Sequence, residues 1–261
     1  MLEAYALVHD AFVEEGLIEA SPQRLRIRAC ELCPDTATFV AKSRGRVIGV
    51  MSVVPDSRDL GLPSDHVFGA ELDRLRGAGR SVVEITNLAV LPEFRRSSAF
   101  LELSRAVTAH VVARGFDDGF VAVSPKHVLY FEQILRFEPW GDRRSYRTDA
   151  VDPVQGLRLD VHGFESALQE VDATLGDAVS LHAWFFGDNP HSSSVLESHE
   201  MAEWRFFSDD VPRELVGDTR AWLATLNERE RAAVLQRWQG RRRAPASPEV
   251  ERGSAQVSIH P

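Results

Sequence analysis

The sequence predicts an α/β (α+β) fold, a mixed central sheet flanked by helices, with a helical extension behind it. Three observations carry this. Residues 81–98 read as an apolar strand holding one carboxylate, Glu84, that stops at Pro92 and opens through a short basic turn into a helix. That helix has Phe100, Leu103, Val107 and Val111 at helical spacing, and a short apolar strand, Phe120–Val123, follows it. Two strands joined through a helix form a crossover unit, so these two are expected to run parallel. Thirdly, residues 37–43 and 46–54 are strand-like runs joined by Arg44-Gly45, a hairpin signal.

The remaining elements follow in order. Residues 2–14 put Tyr5, Val8 and Phe12 on one helical face, and Gly16 stops the helix. Residues 17–35 are irregular and contain Cys30 and Cys33. A Cys pair at this spacing serves redox or zinc chemistry elsewhere, but no second pair or His set completes a metal site, so both cysteines read as small, part-buried residues. A turn-rich loop at 55–65 leads to a short helix over Phe68–Arg76. After the helix of about 98–113, Gly115 acts as a C-cap. Ser124-Pro125 starts another helix running to about Leu135. Tyr146 with its flanking arginines suits a solvent-edged strand, and Leu157, Leu159 and Val161 alternate as the last strand of this unit. From Phe164 the pattern is helical. Pro212 opens a helix with Leu215, Trp222, Leu223 and Leu226. Asn227 and Glu230 form a capping box for the next, with Ala233, Val234 and Trp238 pointing inward. The expected units are 1–161, a helical extension over 162–240 and a disordered tail over 241–261.

Composition excludes several classes. A formal charge of −9 argues against broad nucleic-acid binding. No run reaches the roughly 20 apolar residues a membrane span needs, and charged residues interrupt the N-terminus where a signal peptide would be apolar. Two cysteines give no disulfide framework, so a cytoplasmic, reducing setting is expected.

The central stretch is also a candidate site. The first N–H groups of a helix lack intrahelical partners and attract anions, and Glu84 lies shortly before them on the strand. This arrangement resembles the central strand, pyrophosphate loop and helix of the GNAT acyltransferase fold. Six segments in order, at 12–18, 54–65, 71–76, 83–90, 124–128 and 130–137, resemble the N-acyl amino acid synthases of the FeeM type, relatives of the acyl-homoserine lactone synthases. The resemblance covers about residues 4–161.

It implies transfer of an acyl chain from a phosphopantetheine thioester, usually on acyl carrier protein, to the amine of an amino acid or similar small molecule. No permanently bound cofactor and no metal are implied. Glu84 matches the family's acidic position and would take the proton of the attacking amine. The backbone of Leu88, Ala89 and Val90 would meet the developing oxyanion. Arg95, Arg96, Ser97 and Ser98 match the pyrophosphate loop. Tyr130 would protonate the leaving thiol, with His127 as the alternative acid, because the aromatic hydroxyl stands one residue from its usual place. Ser98 and Phe100 replace the small residues of acyl-CoA users, and a Phe there crowds a pyrophosphate, which favours the carrier protein. Arg74, Arg76, Arg80, Arg95, Arg96 and Arg105 would dock an acidic carrier if they cluster. Val8-His9 replaces an Arg-Tyr pair. The alternatives are an acetyl-CoA-dependent GNAT N-acetyltransferase and a degenerate, non-catalytic acyl-binding module.

Overall fold

The computed structural model describes residues 1–33, 35–146, 153–175, 180–187, 189–192, 219–241 and 256–258. Helix α1 (Leu2–Glu14) packs Ala4 and Val8 against the sheet, and Gly16 ends it at φ +67°. Strands β1 (Ala37–Ser43) and β2 (Arg46–Pro55) form the expected antiparallel hairpin. Arg44 and Gly45 both take positive φ, 50° and 81°, as a two-residue turn matched to strand twist requires.

Helix α2 (Asp65–Gly77) starts earlier than periodicity suggested, because Phe68 interrupts its dihedrals with φ −115° and masks the first turn. Strand β3 (Val82–Val90) carries Glu84 and leads through a 3₁₀ turn at Pro92–Phe94 into α3 (Ala99–Ala113). Then come β4 (Asp118–Val123), α4 (Pro125–Gln133), β5 (Glu138–Pro139), β6 (Arg144–Ser145) and β7 (Pro153–Asp160). Helix α5 (Val161–Leu175) follows directly, and later come α6 (Thr219–Thr225), α7 (Glu228–Arg241) and a short β8 (Gln256–Ser258).

The sheet order is β5-β7-β4-β3-β2-β1-β8, with β6 also paired to β7. The β3–β4 pair is parallel, as the crossover required, and β1–β8 is parallel too. The other ladders are antiparallel. One face of the sheet packs Met51, Val53 and Val83 against Leu103 and Val107 of α3. The other face carries α1 and α2, with Phe68 and Leu72 on Val82 and Phe120. Gly156 on β7 allows a close approach: a Cβ there would meet the Trp140 carbonyl at 2.7 Å and the Phe68 ring at 2.9 Å.

The capping box of α7 forms as read: the Glu230 N–H bonds Asn227 Oδ1 at 2.8 Å and the Asn227 N–H bonds Glu230 Oε2 at 3.0 Å. Trp222 on α6 donates to the Ile27 carbonyl at 3.4 Å, and Leu226 and Val234 pack on Ala29. The extension thus lies on the irregular segment after α1. The Pro212–Leu215 helix start, the Trp238 side chain, Arg147, and 242–255 and 259–261 of the expected tail lie outside the described residues. Among the described residues no helix is long and apolar enough to cross a membrane.

The closed end of the β3–β4 pair is pinned by Asp118, fully buried on β4, which accepts from Arg80 and, at 2.7 Å, from Arg158. Removing a carboxylate from such a buried cluster strands its cations. Asp118→Ala is expected to lose about 3–5 kcal/mol of stability, read as a lower midpoint in urea unfolding.

Candidate active site

Glu84 points from β3 into the face covered by α2, where it is 2% exposed. Two donors from Ser64 meet its carboxyl: the backbone N–H at 2.8 Å to Oε2 and the hydroxyl at 2.9 Å to Oε1. Ser64 stands at the N-cap of α2, yet its hydroxyl makes no bond to the helix, because Glu84 takes it. Burial raises the Glu84 pKa to about 7, although the Arg28 charge and both Ser64 bonds favour the anion. The Tyr146 ring lies in the same pocket: burial and the Glu84 charge raise its phenol pKa, and its hydroxyl interacts with Ser64. Sequence reasoning named Glu84 but not Ser64, Tyr146 or Arg28. Ser64 in Pro63-Ser64-Asp65 looks like an ordinary helix cap, and Arg28 lies in a segment without periodicity.

Beyond Glu84 the two central strands part. β3 pairs with β4 only over Val82–Glu84 opposite Asp118–Phe120, although β3 runs on to Val90 and β4 to Val123. Asn87, at φ 55°, sits in a β-bulge opposite β2. The Leu91 N–H bonds the Ile48 carbonyl of β2 at 2.9 Å. Strand alternation therefore aims the Ala89 N–H at β2 and those of Val90 and Leu88 at the gap.

Both strands end on the same side, where α3 and α4 begin. Tyr130 on α4 packs edge-on to Phe100 at 4.7 Å and beside Leu88 and Val123. Its hydroxyl is buried without a hydrogen-bond partner among the described residues, and burial raises its pKa. His127 lies on the exposed side of α4 near Lys126, Glu15 and Arg95, and burial of its ring with the Lys126 charge lowers its pKa. Tyr130 thus shares an apolar cluster with Leu88 of β3 and Val123 of β4, whereas His127 stands among charged groups.

In the loop before α3, Ser97 Oγ donates to the Phe94 carbonyl and accepts from the Ala99 N–H at 3.2 Å, while Arg95 pairs with Glu14 at 2.8 Å. Arg96 has no ion pair among the described residues. The six arginines considered for a basic face do not supply one. Arg76 is bound by Asp56, Asp65 and Asp73, Arg80 by Asp118 and Asp160, and Arg74 lies by Glu71 and over Trp140. Arg105 is buried over Trp184. Carboxylates and an aromatic face claim these cations, Arg95 included through Glu14, and of the six Arg96 alone has no ion pair or ring contact among the described residues.

On the α3 face, a narrow apolar cleft runs among Ile85, Val107, Phe131, Phe137 and Phe164. Its volume of about 30 Å³ admits roughly two water-sized spheres. Against β2 and the bulge lies a polar cluster that periodicity did not reveal. Asn87 donates to Glu31 Oε1 at 3.0 Å and Ser52 Oγ at 3.1 Å and accepts from Arg26 at 3.0 Å. Val8 and His9, standing where the family has Arg-Tyr, are buried; His9 Nε2 accepts the Ser21 N–H at 2.9 Å and Nδ1 bonds Asp10.

A buried carboxyl on a strand that parts from its parallel neighbour, with a helix N-terminus at the mouth, defines the class as a GNAT-like N-acyltransferase. The family model of the N-acyl amino acid synthase FeeM matches residues 3–160, and the chain belongs to that family of acyltransferases. The solved structure of FeeM, an N-acyl amino acid synthase from uncultured soil microbes, superposes with a TM-score of 0.54 at 22% identity, covering 63% of this chain and 92% of that one. The CoA-dependent acyl-homoserine lactone synthase BjaI, solved with SAM and isopentyl-CoA, gives a TM-score of 0.51 at 18% identity, covering 76% and 90%. At these identities both show the shared fold. No curated protein matches the chain.

Because Glu84 titrates higher folded than its ordinary 4.5, the folded state holds a proton that the unfolded state has released. Stability therefore falls as pH rises from about 4.5 through about 7, by about 3 kcal/mol in all. Gln at this position does not titrate, and its amide can still bond both Ser64 groups. Urea unfolding is expected to show Glu84→Gln gaining on the wild type between pH 5 and 8 and no further above that.

Proposed function

We propose that this chain transfers an acyl group from a phosphopantetheine thioester, carried by acyl carrier protein, to the amine of an amino acid. The catalytic unit is residues 1–161, with 162–240 as its cover. The observation that carries the reading is the buried Glu84 carboxyl, held by Ser64 beside the gap between β3 and β4. A carboxyl at about 7 takes a proton from an attacking ammonium or amine without remaining permanently charged.

The thioester enters between the parted strands with its carbonyl oxygen toward the Leu88 and Val90 N–H groups. The amine nitrogen attacks the carbonyl carbon and its proton passes to Glu84. The C–S bond breaks, and the thiolate takes a proton from the Tyr130 hydroxyl, which has no hydrogen-bond partner among the described residues. The rim groups Arg95, Arg96 and Lys126 face the incoming donor; His127, held neutral at the rim, is the weaker candidate for the acid. The acyl chain lies along the apolar cleft and fills it by displacing Phe131 and Phe137, since the cleft is narrow as it stands. The carrier-protein preference rests on Phe100 standing at a position where acyl-CoA users have a small residue; its ring packs edge-on to Tyr130.

The test is incubation of the purified protein with acyl carrier protein and acyl-CoA thioesters and mixed amino acids, followed by thiol release and mass spectrometry. N-acyl amino acid from the carrier protein is expected. Acetyl transfer from CoA alone would replace this reading with that of an N-acetyltransferase, and no release from any donor would leave a binding module. Glu84→Gln is expected to lower kcat by about 10²–10⁴-fold, and a fully active variant would remove Glu84 from the mechanism.

A further inference from the structure

The irregular segment after α1 brings Arg28 within the field of Glu84 and Arg26 beside it, and among the described residues that segment adds one carboxylate to the cluster, Glu31. Glu31 is fully engaged: Arg28 donates to it through Nε at 2.9 Å, through Nη2 and through its backbone N–H at 2.5 Å, and Asn87 adds a bond at 3.0 Å. Against the cost of burial, these bonds hold Glu31 down to about 2. It is an anion at any working pH.

Arg26 has no such partner. It is 8% exposed, lies over the Phe12 ring at 4.5 Å, and among the described residues makes one side-chain hydrogen bond, through Nη1 to Asn87 Oδ1 at 3.0 Å. Its Nε and Nη2 have no acceptor there, nor does Nη1 of Arg28. Burial brings Arg26 down to about 10, still charged near neutral pH. Beside the Glu31 anion and the Glu84 carboxyl, which holds its proton up to about neutral pH, the two guanidinium groups leave donors that a further anion can take. Arg28 acts electrostatically on Glu84, and both arginines act on the Tyr146 ring. Arg28 keeps 24% of its side chain exposed, so the cluster is open on that side.

We propose that Arg26 and Arg28 receive the free carboxylate of the acceptor while its amine faces Glu84. The inference rests on the acyl-transfer reading and adds to it the residues that select an amino acid over a simple amine. The Nε–Nη2 edge of Arg26 is a planar fork that matches a carboxylate's two oxygens, Nη1 of Arg28 adds a single donor, and Asn87 and Glu31 fix their orientation. The α6–α7 extension, through Trp222 and Leu226, holds this segment against the sheet.

Binding is read without turnover, so failure of the catalytic reading does not obscure it. Saturation-transfer NMR with the purified full chain compares a pool of proteinogenic amino acids with matched pools of their methyl esters and decarboxylated amines. The wild type is expected to bind acids at least about 10-fold more tightly than esters or amines, as hydrogen bonds to a charged group imply. Arg26→Gln should lose that margin and leave the weak binding of amines unchanged, while Arg26→Lys should recover part of it. Esters binding the wild type as well as acids would overturn the proposal, and this arm needs no variant. Acids binding wild type and a folded Arg26→Gln equally would overturn it as well. Selective acid binding without acyl transfer would keep the carboxylate site and reject the enzyme reading.

Discussion

Placing a carboxyl in the face of a packed sheet costs desolvation energy, and the site is built around how that cost is offset. Glu84 faces Phe68, Leu72 and Phe120 territory, where water is excluded. Ser64 contributes two donors and Arg28 a field, enough to keep the anion accessible but not enough to restore an ordinary pKa. The result is a group whose proton is held near neutrality. A fully paired carboxylate such as Glu31, a short distance along the chain from Arg28, lacks this property. The two acids differ in their partners, not in kind.

The second constraint is the pairing of β3 with β4. Asp118 with Arg80 and Arg158 clamps one end, and the bulge at Asn87 turns the other away from regular pairing. Backbone N–H groups inside a protein need acceptors, and beyond Glu84 β3 and β4 do not supply them to each other. The carbonyl of an incoming thioester is such an acceptor in the proposed reaction. Asn87 connects the two ideas: its αL backbone shapes the bulge while its side chain binds Glu31 and Arg26.

Much of the scaffold was legible in the sequence, because strands and amphipathic helices leave periodic traces. The Arg44-Gly45 hairpin, the parallel β3–β4 pair and the Asn227–Glu230 cap are local patterns with one physical solution each. Glu84 stood out as a lone carboxylate between Val83 and Ile85. The residues around it did not, since Ser64, Arg26, Arg28 and Tyr146 come from loops and edges whose placement is tertiary. The arginine face illustrates the same limit. Sequence supplied six cations, but only the fold reveals that Asp56, Asp65, Asp73, Asp118 and Asp160 hold two of them, and that Trp184 covers Arg105.

The central claim is that Glu84 is a buried carboxyl whose proton is exchanged near neutral pH. Carbon-13 NMR of the glutamate side-chain carboxyl carbons, with Glu84→Gln assigning the resonance, measures this directly. A single-site titration with a midpoint near 7 is expected. A midpoint in the ordinary range near 4.3 would mean that the carboxylate is fully stabilised where it sits, and that another group must take the proton.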